Sequence, residues 1–354
     1  MAHLILAVNP GSTSTKIGLF SDSTPIFTET MEHEHKELEK YPSIVSQRQM
    51  RSRIAEELLM KHAINPDMLS AIVGRGGLLP PLKTGGYLIN EKMIDMIVNE
   101  KGVSPHASNL GALIAYDIAE KANRKAYIYD AVSASDILPV AQITGFPEIK
   151  RNSFSHVLNC RANAIEYAKS LGKAYEEMNL IVAHLGGGIS VSVYQKGKII
   201  DTVGDDFGCF SPERSGSVPL LDFIELCYSG NFTKEEMKKR VRGQGGLKAY
   251  FGTPDVRTIE KMALEKDEKA ELILTAMCYT IGKTIGSLAP VLKGRCDAVI
   301  LTGGIARSKF ITDKIAEMIG FIGEVVIRPG EYELEALAAG ALRIIKGEET
   351  VHIF

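Results

Sequence analysis

Two stretches of this chain follow one pattern. "LILAVNPGSTSTKIGLFSDSTPIFTET" begins at Leu4, and "NLIVAHLGGGISVSVYQKGKIIDTVG" begins at Asn179. Each reads as an apolar strand, a turn of small residues, a second strand, a short turn and a third strand. The period and the placement of the small residues coincide, which predicts an internal duplication: two related domains, each opening with the same unit. A length of 354 residues suits two cores better than one.

Strand and helix patterns alternate through the rest of the chain. Helical spacing runs over Gln47–Ala63, "NEKMIDMIVNEKG" and "SNLGALIAYDIAEKAN", with strands at "LSAIVGRGG" and "KAYIYDAV". Beyond the second repeat, helices are expected at Leu220–Tyr228, Thr233–Val241 and Glu268–Leu292. Strands "DAVILTGGIARS" and "EVVIRPG" follow, then a final helix from Glu333 to Lys346. This is an α/β pattern. The expected division is residues 1–145, joined by the C-terminal helix at about 336–354, and residues 146–335. No low-complexity linker separates the halves, so close packing around a cleft is expected.

Composition narrows the function classes. Apolar residues make up 45% and the formal net charge is −2, which gives no general attraction to nucleic acid. The apolar runs are short for a membrane span, and the opening "MAHLILAVNPGS" lacks a basic leader. Cys160, Cys209, Cys227, Cys278 and Cys296 form no C-x-x-C pair, which predicts reduced thiols, a cytoplasmic setting and no zinc site.

Three turns have the character of phosphate cradles: Gly11–Lys16, Gly186–Ser190 and Thr302–Gly304. Glycine lets a backbone approach phosphate and turn its N–H groups inward, and Ser and Thr add hydroxyl donors. Each follows an apolar run and so belongs at a strand end. Gly282-Lys283-Thr284 is similar to the tail of a Walker motif, but it reads as mid-helix, and Met277 stands where the first glycine belongs. Three such turns favour a nucleotide held between domains.

At these residues the chain resembles a known family. "VNPGSTSTK", "HLGGGIS" and "LTGGI" resemble the phosphate and adenosine loops of the acetate and butyrate kinases, within the actin-like ATPase and sugar-kinase superfamily. The likeness extends through "GRGG", "SPHASNLGA", "YDAVSASDILPVAQITG", "PERSGSVP" and "RPGEYELEALAAGALR". The proline after Asn9, the chain length and the "GEYELEALAAGA" ending are most similar to the butyrate kinases of that family. The resemblance implies two duplicated ribonuclease-H-like domains with an active-site cleft between them. It also implies reversible phosphoryl transfer from ATP to a short-chain carboxylate, with Mg2+, in an oligomer that is at least a dimer.

A carboxylate is already ionised at neutral pH and needs no base to act as nucleophile. Such a site should be rich in arginine, which grips oxyanions in two-pronged fashion. Arg75, in "VGRGG", and Arg214, in "SPERSGS", fit that role. By resemblance His184 stabilises the transferring group, with His106 and His156 as further substrate-side candidates. Asp130 and Glu333 are expected near the metal, with Glu331 and Glu335 close enough to compete. Asn9, Ser12, Ser14 and Lys16 are expected on the phosphoryl group. Gly186, Gly187, Gly188, Gly303 and Gly304 are expected on the nucleotide. Asp255 and Arg257 match nucleotide-side residues, although an aspartate there is also an ordinary helix cap. Gly77 stands where acetate kinases carry a valine, which predicts room for a longer acyl tail. The competing readings are an acetate, propionate or branched-chain carboxylate kinase with the same mechanism, a nucleotide-gated assembly ATPase, and a sugar kinase using Asp130 as base.

Overall fold

The computed structural model describes residues 2–204 and 206–354. It divides into two units, one running to Ser135 and resumed at Tyr332–Phe354, the other Asp136–Glu331. The first unit opens with β1 (Leu4–Pro10), β2 (Ser14–Ser21) and β3 (Thr24–Glu32). Helices α1 (His35–Leu38) and α2 (Arg48–Lys61) lead to β4 (Ala71–Arg75) and β5 (Gly86–Leu88). Helices α3 (Glu91–Val98) and α4 (Leu110–Ala122) precede β6 (Ala126–Tyr129).

The second unit contains α5 (Val157–Ser170), then β7 (Asn179–Leu185), β8 (Ile189–Gln195) and β9 (Lys198–Gly204). Helices α6 (Leu220–Tyr228), α7 (Lys234–Val241), α8 (Gly246–Phe251), α9 (Val256–Leu264) and α10 (Glu268–Leu288) follow. The unit closes with β10 (Ala298–Gly303), α11 (Lys309–Ile319) and β11 (Glu324–Pro329). The chain then returns to the first unit with α12 (Glu333–Ile345) and β12 (His352–Ile353).

The sheets carry the duplication. The first has strand order β12-β5-β6-β4-β1-β2-β3 and the second β11-β10-β7-β8-β9. In each, an antiparallel three-strand meander is extended by two parallel strands on the side of its first strand. Each meander has a register shift in the same place. Leu6 faces Leu19, after which β2 shifts; Ile181 faces Val193, after which β8 shifts. A bulge increases strand twist and is a designed feature rather than a defect, so its recurrence at one register position accords with a duplication.

Strand alternation sorts side chains between two helical layers. In the first unit, Leu6, Val8, Ile72 and Ile128 join the core that includes α2 and α4. Gly74 meets Gly111 of α4 so closely that a Cβ would overlap the Gly111 carbonyl. The alternate face carries Arg75 and Tyr129, and the Tyr129 ring lies against Gly340 of α12. In the second unit, Ile181, Ala183, Leu185, Val299 and Leu301 pack with α9, α10 and α11. Here α5 lies on the opposite face, reaching His184 and Thr302.

Two sequence expectations change. The segment from Asp136 was placed in the first domain up to residue 145, but its backbone is tied to β9. Asp136 N donates to Ile199 O, Leu138 N to Ile200 O, and Arg151 pairs with Asp201. The other concerns α10. With its following turn it makes a segment, Glu268–Leu292, long and apolar enough to cross a membrane, which the sequence reading did not expect. Leu274, Met277, Ile281 and Ile285 on this helix are buried in the core of the second unit, which accounts for its apolar character.

All five cysteines are free thiols. Burial pushes Cys160 and Cys278 up to about 12, and Cys209 and Cys296 up to about 11, so these four are packing residues rather than nucleophiles.

Candidate active site

Both units present polar residues at the carboxyl ends of parallel strands, the usual place for ligands in open α/β sheets. In the first unit, Val8 pairs with Gly74, so the next residues along, Asn9 and Arg75, share the α12 face. Glu333, in the first turn of α12, meets both. Arg75 Nη1 lies 2.9 Å from Glu333 Oε1 and donates to Asn9 Oδ1 at 3.4 Å. Asn9 Nδ2 donates to Glu333 Oε2 in a short hydrogen bond. The buried Nε–H of Arg75 has no acceptor among the described residues. An unsatisfied buried donor costs on the order of 1–3 kcal/mol and is a natural place for a ligand oxygen.

The turn Gly11–Ser14 adjoins this cluster, and Lys16 lies opposite Asn9 in the register. Ser12 and Thr13 are exposed at its tip. Beneath it, from α2, comes Arg51, wholly buried; a basic residue in a helix offers no sequence signal for such a place.

Glu333 was expected to serve a metal. Both its oxygens are engaged by Arg75 and Asn9, an arrangement that balances and orients the arginine. Glu331 pairs with His184 in the second unit, and Glu335 is exposed. Asp130 follows β6 with φ +43°, a conformation aspartate tolerates better than most residues. Its Oδ1 accepts from Gly85 N at 2.8 Å, while its own N–H donates to Gly85 O. Among the described residues no three His, Cys, Asp or Glu side chains gather as a metal cage.

Gly77 corrects a second expectation. A Cβ there would overlap Asn109 Oδ1 and lie 2.8 Å from Asn109 Cα. The missing side chain makes room for Asn109, whose Oδ1 accepts from Leu78 N at 2.8 Å, and not for an acyl tail. His106 caps the same segment, its Nδ1 hydrogen-bonded to Ser108 Oγ at 2.6 Å.

In the second unit the loop Gly186–Gly188 is closely surrounded. A Cβ on Gly186 would lie 2.8 Å from His184 Nε2, and one on Gly187 would lie 2.9 Å from Glu213 Oε2. At Gly188 it would strike the Arg214 guanidinium. Three glycines in a row thus let a histidine, a glutamate and an arginine press onto one loop. Burial lowers the pKa of Arg214, opposed by the neighbouring Glu213 and Asp206 carboxylates. Beside this loop Gly303 adopts φ +92°, where a Cβ would collide with the backbone of Leu185. Next to it Gly304 faces open space.

His184 is 2% exposed and its proton can be placed. Gly330 O only accepts, so Thr302 Oγ1, 3.4 Å away, donates to it. Thr302 Oγ1 then accepts from Asn159 Nδ2 at 3.3 Å, which orients the amide. The other Nδ2 hydrogen goes to His184 Nδ1 at 3.0 Å. With Nδ1 accepting, the proton sits on Nε2, beside Gly186 and 3.5 Å from Glu331 Oε1. The imidazole is built to donate a hydrogen bond. His156 stacks on it at 3.9 Å between centroids and is held by Ser190 Oγ at 2.8 Å. Asn159 was not legible as a site residue, since its partners lie far along the chain; Thr302 and Ser190 belong to two of the expected phosphate turns, and here their hydroxyls bond Asn159 and His156.

Asp255 and Arg257 pair with each other. Asp255 Oδ1 accepts from both the backbone N and Nε of Arg257 at 3.0 Å, capping α9; Arg257 is exposed and Asp255 partly so. The ordinary cap explains them. A cavity of about 720 Å³, lined by α6 and α7 side chains including Phe223, Ile224 and Met237, contains none of the strand-end glycines.

Comparisons with known proteins give a family and a fold. The model of the acetokinase family matches residues 155–339. Acetate kinase from Porphyromonas gingivalis is similar at 17% identity and TM-score 0.78, over 98% of this chain and 100% of that one. A propionate kinase from Francisella tularensis subsp. tularensis SCHU S4 is similar at 18% identity and TM-score 0.74, over 96% and 98%. An ROK hexokinase from Thermus thermophilus is similar at 14% identity and TM-score 0.51, over 96% and 97%. At such identities the likeness to the solved structures is one of fold.

Proposed function

The chain belongs to the acetokinase family, and from that premise we propose that it transfers a phosphoryl group reversibly between ATP and the carboxylate of butyrate or a similar short-chain fatty acid. The products are an acyl phosphate and ADP, and ATP enters as its magnesium complex. The observation that carries this reading is Arg75, a half-buried guanidinium at a strand end whose buried Nε–H has no acceptor among the described residues.

The chemistry needs positioning and charge compensation rather than a base. Arg75, steadied by Glu333 and Asn9, takes the substrate carboxylate on its unsatisfied edge. The Gly11–Ser14 turn and Lys16 receive phosphoryl oxygens. Arg214 and the Nε2–H of His184, both against the Gly186–Gly188 loop, suit the stabilisation of phosphate charge at that loop. Because His184 donates through Nε2, it suits an electrophilic role and not proton abstraction. Gly304, beside the closely packed Gly303, leaves open backbone for the nucleotide.

The longer acyl chain is supported by the proline after Asn9 and by the "GEYELEALAAGA" ending, not by Gly77. The relatives named as acetate and propionate kinases support a second reading, with a shorter acid and the same mechanism. Discrimination by one methylene is worth only about 1–3 kcal/mol, so activity across several acids is expected. A hydroxamate trap for acyl phosphate, run with ATP, Mg2+ and acids from acetate to valerate, separates the readings. Highest kcat/KM with butyrate or isobutyrate supports the proposal. Highest kcat/KM with acetate or propionate transfers the assignment to the shorter acid. No acyl phosphate from a folded, ATP-binding protein refutes both.

A further inference from the structure

Arg51 lies outside every motif noted in the sequence, yet it makes more hydrogen bonds to the Gly11–Ser14 turn than any other side chain described. Its Nη1 donates to Gly11 O at 2.8 Å, to Ser14 O at 2.7 Å and to Thr15 Oγ1 at 3.1 Å. Its Nη2 donates to Ser12 O at 3.1 Å. Gln47, one turn earlier, fixes the guanidinium by accepting from Nε at 3.1 Å and Nη2 at 2.8 Å. The remaining carbonyl, Thr13 O, accepts from His33 N at 2.7 Å, and Gly11 N donates back to Ser14 O at 2.8 Å.

Every carbonyl of the turn is therefore turned toward the protein. A peptide plane carries its N–H opposite its C=O, so carbonyls drawn inward send amides outward. The N–H groups of Ser12 and Thr13 donate to no backbone or side-chain acceptor among the described residues, and both residues are exposed. Successive outward amides make an anion-binding concavity. In the Gly186–Gly188 loop a carbonyl is likewise drawn inward: Gly187 O accepts from Ser211 Oγ at 2.8 Å and Glu213 N at 3.2 Å.

We propose that Arg51 is a positioning residue for phosphoryl transfer. From beneath the turn it captures the carbonyls and so holds the Ser12 and Thr13 amides toward the phosphoryl oxygens. It touches no substrate. The proposal rests on the reading of this turn as a phosphoryl site.

The test compares wild type with Arg51→Lys, Arg51→Met and Gln47→Leu by amide hydrogen exchange and by steady-state kinetics. Lysine keeps the charge but cannot reach three carbonyls in one plane. The expected result is faster exchange confined to the 11–16 segment in both Arg51 variants, by about tenfold. With it, kcat should fall about tenfold or more in Arg51→Lys while the KM for carboxylate stays within about twofold. Gln47→Leu should show a smaller effect of the same kind, which keeps the test usable should Arg51→Met fail to fold. Unchanged exchange at the turn in Arg51→Lys and Gln47→Leu overturns the proposal. So does faster exchange across the whole first unit with kcat per folded molecule unchanged, the pattern of a purely structural residue. A wild type that makes no acyl phosphate from any acid would refute the kinase reading, and the exchange data would still decide whether Arg51 holds the turn.

Discussion

Asn159 decides what His184 can do. A buried imidazole carries its proton on either nitrogen, and the partner of one nitrogen sets the state of the other. Here an oriented amide donates to Nδ1, so the Nε2–H points out of the sheet end beside Gly186. His184→Ala should lower kcat by about 10²-fold, the scale of losing one preorganised donor. Asn159→Leu should lose a smaller part of the same activity with carboxylate KM little changed, and 15N NMR should show the His184 tautomer shifting from Nε2–H toward a mixture.

His33 supplies a pH signature. Its Nε2 is hydrogen-bonded to Thr15 Oγ1 at 2.8 Å, and burial, then the Arg51 guanidinium, lowers its pKa below the ordinary value; Glu37 and Glu32 oppose this. The folded state thus stays neutral in a range where the unfolded chain, titrating near about 6.5, takes up a proton. The unfolded state binds more protons there, so this contribution to stability is complete above that pH and is lost as pH falls. Urea midpoints should drop between pH 7.5 and 5.5, and His33→Gln should lessen the drop. An equal drop in the variant would assign it to other groups.

Among the elements, α4 and β4 make the closest approach that positions a site residue. A Cβ at Gly111 would overlap Arg75 O and lie 2.9 Å from Arg75 N. Alanine is intrinsically better than glycine in a helix by about 1 kcal/mol. Here the obstacle is backbone, which yields less readily than a side chain, so overpacking should win. Gly111→Ala should destabilise by about 1–3 kcal/mol and reduce activity by displacing Arg75. Gly286, on α10 with no atom near its would-be Cβ, is the matched control: Gly286→Ala should raise stability by up to about 1 kcal/mol. Both are read from urea denaturation midpoints.

Over the whole molecule, the sequence by itself determined the duplication, the strand-end location of the three glycine and hydroxyl turns, and Arg75, Arg214 and His184 as candidates. Those features are local. Period-two apolar runs, small-residue turns and an arginine between glycines are each written within about ten residues. The tertiary structure decided which polar groups meet. Glu333 and Asn9 lie 324 positions apart, and only the pairing of β1 with β4, with α12 laid across one face, brings them to Arg75. The same dependence hid Arg51 and Asn159, ordinary residues of amphipathic helices until the turn and the strand end they support are in place. It also reversed the reading of Gly77. A missing side chain in the sequence leaves space for something, and only the packed structure shows that Asn109 takes it.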